Sequence, residues 1–246
     1  MTKLKFSHST CQVEGTYVPV ADVNLASGEA VYFSHHMLLW QDPQVALGIL
    51  PVTDGWKRYF DGMPLLMTEA TGPGHIAFSR DEPGEIIALP LHQGESVDAR
   101  EHTFIMASSK VTYDWFNPHV WYATKAGRGR DLHFPIGVFM DRLDAQDTPG
   151  LVLLHGAGNV FVRTLEEGDS ILVKPTSLVF KDSTVSAQLR LEYPDAGRRF
   201  WIGWSMRYIW LELTGPGRVA IQSAFKHLQD NGSPVIDGSF ATKTTR

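Results

Sequence analysis

Cysteine is nearly missing from this sequence: Cys11 is the one such residue in 246. A lone thiol excludes an intramolecular disulfide framework and any zinc site built from several cysteines. It fits a reducing compartment. Long apolar runs are missing too. Ile86–Leu91 and Leu151–Leu154 fall far short of the ~20 residues that a spanning helix needs. The opening stretch, Met1–Glu14, is polar and lacks the apolar segment of a secretory signal. The expectation is a soluble, cytoplasmic chain. An excess of positive charge is also lacking. The formal net charge of -5 disfavours nucleic acid, or an anionic membrane surface, as a partner of the whole molecule. The local basic group Lys125, Arg128 and Arg130 reads more plainly as a solvated loop.

Sustained helical patterning is the last absence. No stretch carries apolar residues at three- and four-residue spacing with a cap at each end, and 55–61 and 225–230 have room for a turn or two only. What the chain has instead is punctuation, 22 glycines and 14 prolines between short apolar runs. That pattern predicts an all-β fold, a β-sandwich or a double-stranded β-helix-like solenoid.

The glycines carry a repeat. Segments opening at Gly28, Gly94 and Gly168 align without a gap: Gly, an acid, a small residue, then Val31, Val97 or Ile171. They close on Leu38-Leu39-Trp40, Phe104-Ile105-Met106 and Leu178-Val179-Phe180. Between them falls a second signature, Gly72-Pro73-Gly74 and Gly215-Pro216-Gly217, with Gly156-Ala157-Gly158 read as its third version. The acid-Gly element predicts a turn that leads into a strand, because Gly supplies φ > 0 and the acid tolerates turn geometry. Gly-Pro-Gly predicts a tight reversal between two strands. Alternation in His75-Ile76-Ala77-Phe78 and Arg218-Val219-Ala220-Ile221 marks strands with one face buried. Three copies predict three repeats in a pseudo-three-fold arrangement.

The boundaries follow: a single β domain over 1–225, with repeats at about 3–93, 94–167 and 168–225. Residues 117–135 form an insertion in the second repeat, and the polar tail 226–246 is expected to fray or to pack as a loose arm.

These signatures, in this order, resemble the altered-inheritance-of-mitochondria protein 24 family. The resemblance spans Leu25 to Phe225. It rests on Gly62 before Leu65-Leu66, Thr71-Gly72-Pro73-Gly74, Pro83-Gly84-Glu85-Ile86, Gly168-Asp169-Ser170 and Thr214-Gly215-Pro216-Gly217-Arg218-Val219. It implies a fold similar to the trp RNA-binding attenuation protein, internal repetition and homo-oligomers. It implies no established enzymatic activity, and a link of mitochondrial members to inner-membrane organisation. The chain departs from the family at Ser34-His35-His36 and in the length of the 117–135 insertion.

Chemistry is sparse. His35, His36 and His102 sit at related places after Gly28 and Gly94, so one of the pair together with His102 offers imidazoles to a cupin-like metal or small-molecule site. Two features oppose this: adjacent strand residues point to opposite faces, and the third repeat has Thr176 at the equivalent place. The plainer reading is structural histidine. The acid-Gly turn recurs in all three repeats, which assigns it to structure rather than to catalysis. His155 and Ser108-Ser109 show no base–nucleophile arrangement. Gly127-Arg128-Gly129-Arg130 lacks the Lys-Ser/Thr ending and the strand–helix context of a phosphate loop, and reads as a flexible loop. The aromatics Trp115, Phe116, Trp121 and Tyr122, and the group Phe200 to Trp210, read mostly as core. Matched basic-aromatic pairs, Arg58-Tyr59 and Arg199-Phe200, are the candidate contacts for a partner. The expectation is a non-enzymatic scaffold or interaction protein, a homo-oligomer with a protein or membrane-complex partner. No catalytic residue, cofactor, metal or nucleic acid is assigned.

Overall fold

The computed structural model describes residues 3–51, 66–193, 207–228 and 233–240. Strands β1 (Lys3–Phe6) and β2 (Ser9–Glu14) precede three units, the first and third of six strands and the second of six with two more inserted. The first unit is β3 (Val20–Leu25), β4 (Ala30–Phe33), β5 (Leu38–Gln41), β6 (Ala46–Pro51), β7 (Leu66–Thr71) and β8 (Gly74–Ser79). The second opens with β9 (Gly84–Leu91), β10 (Ser96–Arg100), β11 (Phe104–Ser108) and β12 (Thr112–Phe116). The inserted β13 (Tyr122–Ala126) and β14 (Gly129–His133) come next, and β15 (Met140–Asp144) and β16 (Gly150–Ala157) close the unit. The third is β17 (Val160–Leu165), β18 (Ser170–Val173), β19 (Leu178–Asp182), β20 (Ser186–Glu192), β21 (Tyr208–Thr214) and β22 (Gly217–Gln222). A last strand, β23 (Val235–Gly238), lies in the tail.

Hydrogen bonding prints the repeat three times. Ala30 pairs with Thr71, Ser96 with Asp144 and Ser170 with Thr214. Leu25 pairs with Gly74, Leu91 with Gly150 and Leu165 with Gly217. Each unit bulges at the same place, between Leu38 and Trp40, Phe104 and Met106, and Leu178 and Phe180. A bulge bends its strand and re-aims side chains, here at the same place in each unit. The acid-Gly turns also repeat, with Glu29 N donating to Ala26 O, Glu95 N to His92 O and Asp169 N to Glu166 O.

This register corrects one part of the sequence reading. Gly156 and Gly158 do not close a hairpin inside the second unit; Gly158 links β16 to β17, and so one unit to the next. The true counterpart of Gly72-Pro73-Gly74 is the loop ending at Gly150. Gly72 N, Ala145 N and Gly215 N donate to Glu29 O, Glu95 O and Asp169 O in turn. In the second unit, residues 145–149 intervene where 72–73 intervene in the first, so the longer loop hides the equivalence.

The strands form four sheets in series and one at the side. Sheet I is β1-β2-β3-β8-β5, sheet II β6-β7-β4-β11-β16-β9, sheet III β12-β15-β10-β19-β22-β17, sheet IV β18-β21-β20 and sheet V β14-β13-β23. Half of each unit therefore joins half of the next. Cores fill the spaces between successive sheets. Val31, Phe33, Leu151 and Leu153 of sheet II belong to one core, while Tyr32, Val152 and Leu154 belong to the next. Burial on both faces explains why Leu151–Leu154 is a continuous apolar run rather than an alternating one. The third core holds Val173, Leu189, Leu211 and Leu213 of sheet IV together with Tyr122 of the insertion.

Sheet V takes in both the Gly127–Arg130 stretch and part of the tail. Gly127-Arg128-Gly129-Arg130 lies at the tip of the β13–β14 hairpin, with Gly127 at φ 56° and Lys125 paired with Arg130. The tail does not fray over its whole length, because β23 pairs with β13 through Tyr122 and Gly238. Tyr122, fully buried and stacked on His133 at 4.6 Å, anchors this hairpin.

Candidate functional site

A cavity of about 360 Å³ opens where the three units meet. Arg80 and Glu82 reach it from the β8–β9 link, Arg100, Glu101 and His102 from the β10–β11 turn, and His155 from β16. Phe134, Pro135 and Ile136 line it after the inserted hairpin, and Gln222 and Lys226 from β22 and the stretch after it. Arg80 Nε donates to Glu82 Oε2 at 3.1 Å, and Glu101 Oε1 lies 3.6 Å from His102 Nε2.

Arg100 is the unusual member. Its Nη1 donates to the Thr176 carbonyl at 2.8 Å, but its Nε is buried without a partner. Burial first, then Arg80, push the guanidinium down from its ordinary range, against the pull of Glu101. His155 is 4% exposed, and its Nε2 is likewise buried without a partner. Burial and then Arg80 lower its pKa, while a hydrogen bond to the Glu82 backbone and the Glu82 charge oppose them. Other cations at the unit joints are matched to acids. Lys181 and Arg142 both bind Asp98, and Arg218 binds Asp182 and Glu95.

The histidines singled out in the sequence are partly brought together. His35 and His36 lie on a 3-10 turn, His35–Met37, not on a strand, so the opposite-face argument does not apply. Both are exposed, with rings in T-shaped contact at 5.4 Å. His36 and His102 line one cavity of about 120 Å³ together with Arg80 and Glu101; His35 is not part of that lining. Burial, His35, Arg80 and His102 lower the His36 pKa. Among the described residues, no three His, Cys, Asp or Glu side chains are grouped to hold a metal ion.

Gly156, grouped with the turn glycines in the sequence, lies instead inside β16, paired with Glu85. Gly28, Gly94 and Gly168 have φ of 78°, 84° and 85°, and Gly74, Gly158 and Gly217 have φ of 136°, 68° and 138°. At Gly72 and Gly215 the demand is close approach, since a Cβ would lie 2.5 Å from Ala26 O and 2.4 Å from Glu166 O. Glu95 and Asp169 use their carboxylates on the turn itself, accepting from His92 N at 3.1 Å and Glu166 N at 3.2 Å. Arg58, Tyr59, Arg199 and Phe200 lie outside the described residues. Among the described residues, a basic-aromatic arrangement is Lys174, whose Nζ stands 4.9 Å from the Tyr208 ring and 4.8 Å from the Trp210 ring.

Sequence reasoning passed over Arg80, Arg100 and Lys226. One signal was available. Six places after the repeat glycine the three segments carry Ser34, Arg100 and Lys174, so two of the three copies place a cation there.

Residues 11–224 match the family described as mitochondrial biogenesis AIM24. The chain belongs to that family. No curated protein matches it. Among solved structures, the chain is similar to the crystal structure of protein SPYM3_0169 from Streptococcus pyogenes. That likeness has a TM-score of 0.61 at 17% identity, covering 88% of this chain and 94% of the other. It is a likeness of fold. No helix of the AIM24 chain, among the described residues, is long and apolar enough to cross a membrane.

Proposed function

We propose that this AIM24-family chain is a non-enzymatic scaffold or interaction protein that associates with itself head to tail. The observation that carries this reading is the way the units join. At the first joint β4 pairs with β11, Val31 with Ser108, Tyr32 with Ala107 and Phe33 with Met106. At the second, β10 pairs with β19 in the same register, Val97 with Asp182, Asp98 with Lys181 and Ala99 with Phe180. The next strand of each kind is left over. Among the described residues, β18 pairs only with β21, and β5 only with β8.

An open edge offers unpaired N–H and C=O groups to another strand. Here the two open edges are the two halves of a joint the chain already makes twice. Extending the register pairs Ile171 with Asp42, Leu172 with Gln41 and Val173 with Trp40 of a second copy. Such a contact is heterologous; it closes as a ring or runs on as a filament according to the rotation per copy. The exposed Leu39 and Trp40 beside the β5 edge fit a covered surface better than a bare one. A scaffold of this kind suits a protein or membrane-complex partner, and the lone buried Cys11 fits the cytoplasm.

Light scattering on the wild-type chain tests the reading: it predicts a mass of two copies or more, and a strict monomer at high concentration overturns it. A second reading, a small-molecule or metal protein using His36 with His102, draws on their shared cavity. Metal analysis of untagged protein with no stoichiometric transition metal removes its metal form.

A further inference from the structure

We infer that the cleft at the meeting of the three units is a binding site for a small phosphate monoester, held by Arg100, Arg80 and Lys226. The argument starts from a missing partner. A buried charge is costly unless it is paired, and structures satisfy this by an acid, a metal or a ligand. Lys181, Arg142 and Arg218 obey the rule through carboxylates on neighbouring strands. Arg100 does not. Its one hydrogen bond goes to a neutral carbonyl, its Nε is buried without a partner, and the side chain lines the cavity.

The cavity around it leans positive. Three formal cations line it against two acids, and the acids are turned to other tasks. Glu82 is exposed and already holds Arg80 through Nε, and Glu101 stands nearest His102. His155, whose Nε2 is buried without a hydrogen-bond partner, lines the same cavity. Arginine forks bind oxyanions through charge-assisted, bidentate hydrogen bonds. The cations arrive from three separate segments, the β8–β9 link, the end of β10 and the stretch after β22. A planar carboxylate presents its two oxygens in one plane, whereas a tetrahedral phosphate presents oxygens toward all three. About 360 Å³ leaves space beside the phosphate for a small organic group, at the lower end of ligand-pocket sizes.

The site is independent of the β5 and β18 edges, so it stands or falls separately from self-association. The test is calorimetric titration and thermal unfolding with inorganic phosphate and with glycerol 3-phosphate, ionic strength being held constant with chloride. The expected result is one saturable site and a rise in the unfolding midpoint, since a ligand that binds only the folded state stabilises it. Arg100→Gln should weaken binding roughly tenfold or more, the loss of a charge-assisted pair. In phosphate-free buffer Arg100→Gln should unfold no earlier than wild type, because it removes a half-buried charge that no acid pairs; a purely structural Arg100 predicts earlier unfolding. Should Arg100→Gln fail to fold, the double variant Arg80→Gln/Lys226→Gln carries the test with the same expected loss. Lys110→Gln, exposed and away from the cleft, should bind as wild type does. Absence of saturable binding by both phosphates, or full binding by the Arg100 and Arg80/Lys226 variants, overturns the inference.

Discussion

Asp98 on β10 and Lys181 on β19 face one another across the joint between the second and third units, both buried, with Oδ2 and Nζ 2.7 Å apart. Arg142 on β15 closes the group, its Nε and Nη2 donating to the same carboxylate at 2.8 and 3.1 Å. The equivalent cross-strand pair at the first joint is Tyr32 with Ala107, so one joint is made of charge and the other of apolar packing. Removing a single partner of a buried ion pair strands the other charge. Asp98→Ala should therefore cost about 3–5 kcal/mol in denaturant unfolding. The apolar pair Asp98→Leu/Lys181→Met should recover most of that loss, because a well-packed substitute avoids desolvating two ions. A double variant as unstable as Asp98→Ala would contradict this.

Two glycines separate backbone strain from close packing. Gly28 has φ of 78° with nothing within 4 Å of a built Cβ, whereas at Gly84 a Cβ would lie 2.2 Å from Gly156 O and 2.6 Å from His155 Nε2. Gly28→Ala should cost about 1 kcal/mol, the left-handed penalty alone. Gly84→Ala meets the backbone of the paired strand β16 and should cost more, about 2–3 kcal/mol or beyond. Urea midpoints in the reverse order would contradict the packing of β9 on β16.

Cys11 lies buried in the first core, and burial, followed by the charge of Asp22, pushes its thiol up to about 12. The reactive form is the thiolate, so the native protein should resist a thiol reagent near neutral pH and react fully once unfolded. Rapid labelling of the folded chain would show that the first core opens locally.

His155 links stability to pH. Its folded pKa is lowered, chiefly by burial, so as pH falls the unfolded chain binds the proton first. The contribution of the neutral ring is complete above the ordinary histidine value of about 6.5 and is lost as pH drops through the lower folded value. Urea midpoints in phosphate-free buffer should fall from about pH 7.5 to about pH 5.5. The fall should be shallower in His155→Gln, and equal slopes would contradict a buried, neutral His155.

The sequence made the all-β class and the threefold repetition legible, because turn glycines have no substitute at positive φ. It misplaced one element for a physical reason. Gly150 earns its position through pairing with Leu91, a contact between segments far apart in the chain, while its own loop had lost the Gly-Pro-Gly pattern. The cleft was less legible still. Arg100 looks like an ordinary strand-end cation until Thr176, Arg80 and Lys226 are brought beside it from other units. His36 and His102 line one cavity, but His36 sits on a 3-10 turn that no alternation rule describes, and His102 comes from the β10–β11 turn.

The central claim is that β18 of one copy completes the joint with β5 of another. Directly opposed residues in an antiparallel pair place their Cβ atoms about 4.5–5.5 Å apart, close enough for a disulfide after slight adjustment. Leu172→Cys and Gln41→Cys chains should be prepared separately, mixed and mildly oxidised. The account predicts a covalent dimer that contains one chain of each kind and is absent when Lys110→Cys replaces Gln41→Cys. No cross-linked dimer from the mixture, or a cross-link formed only within a single chain carrying both substitutions, would contradict it.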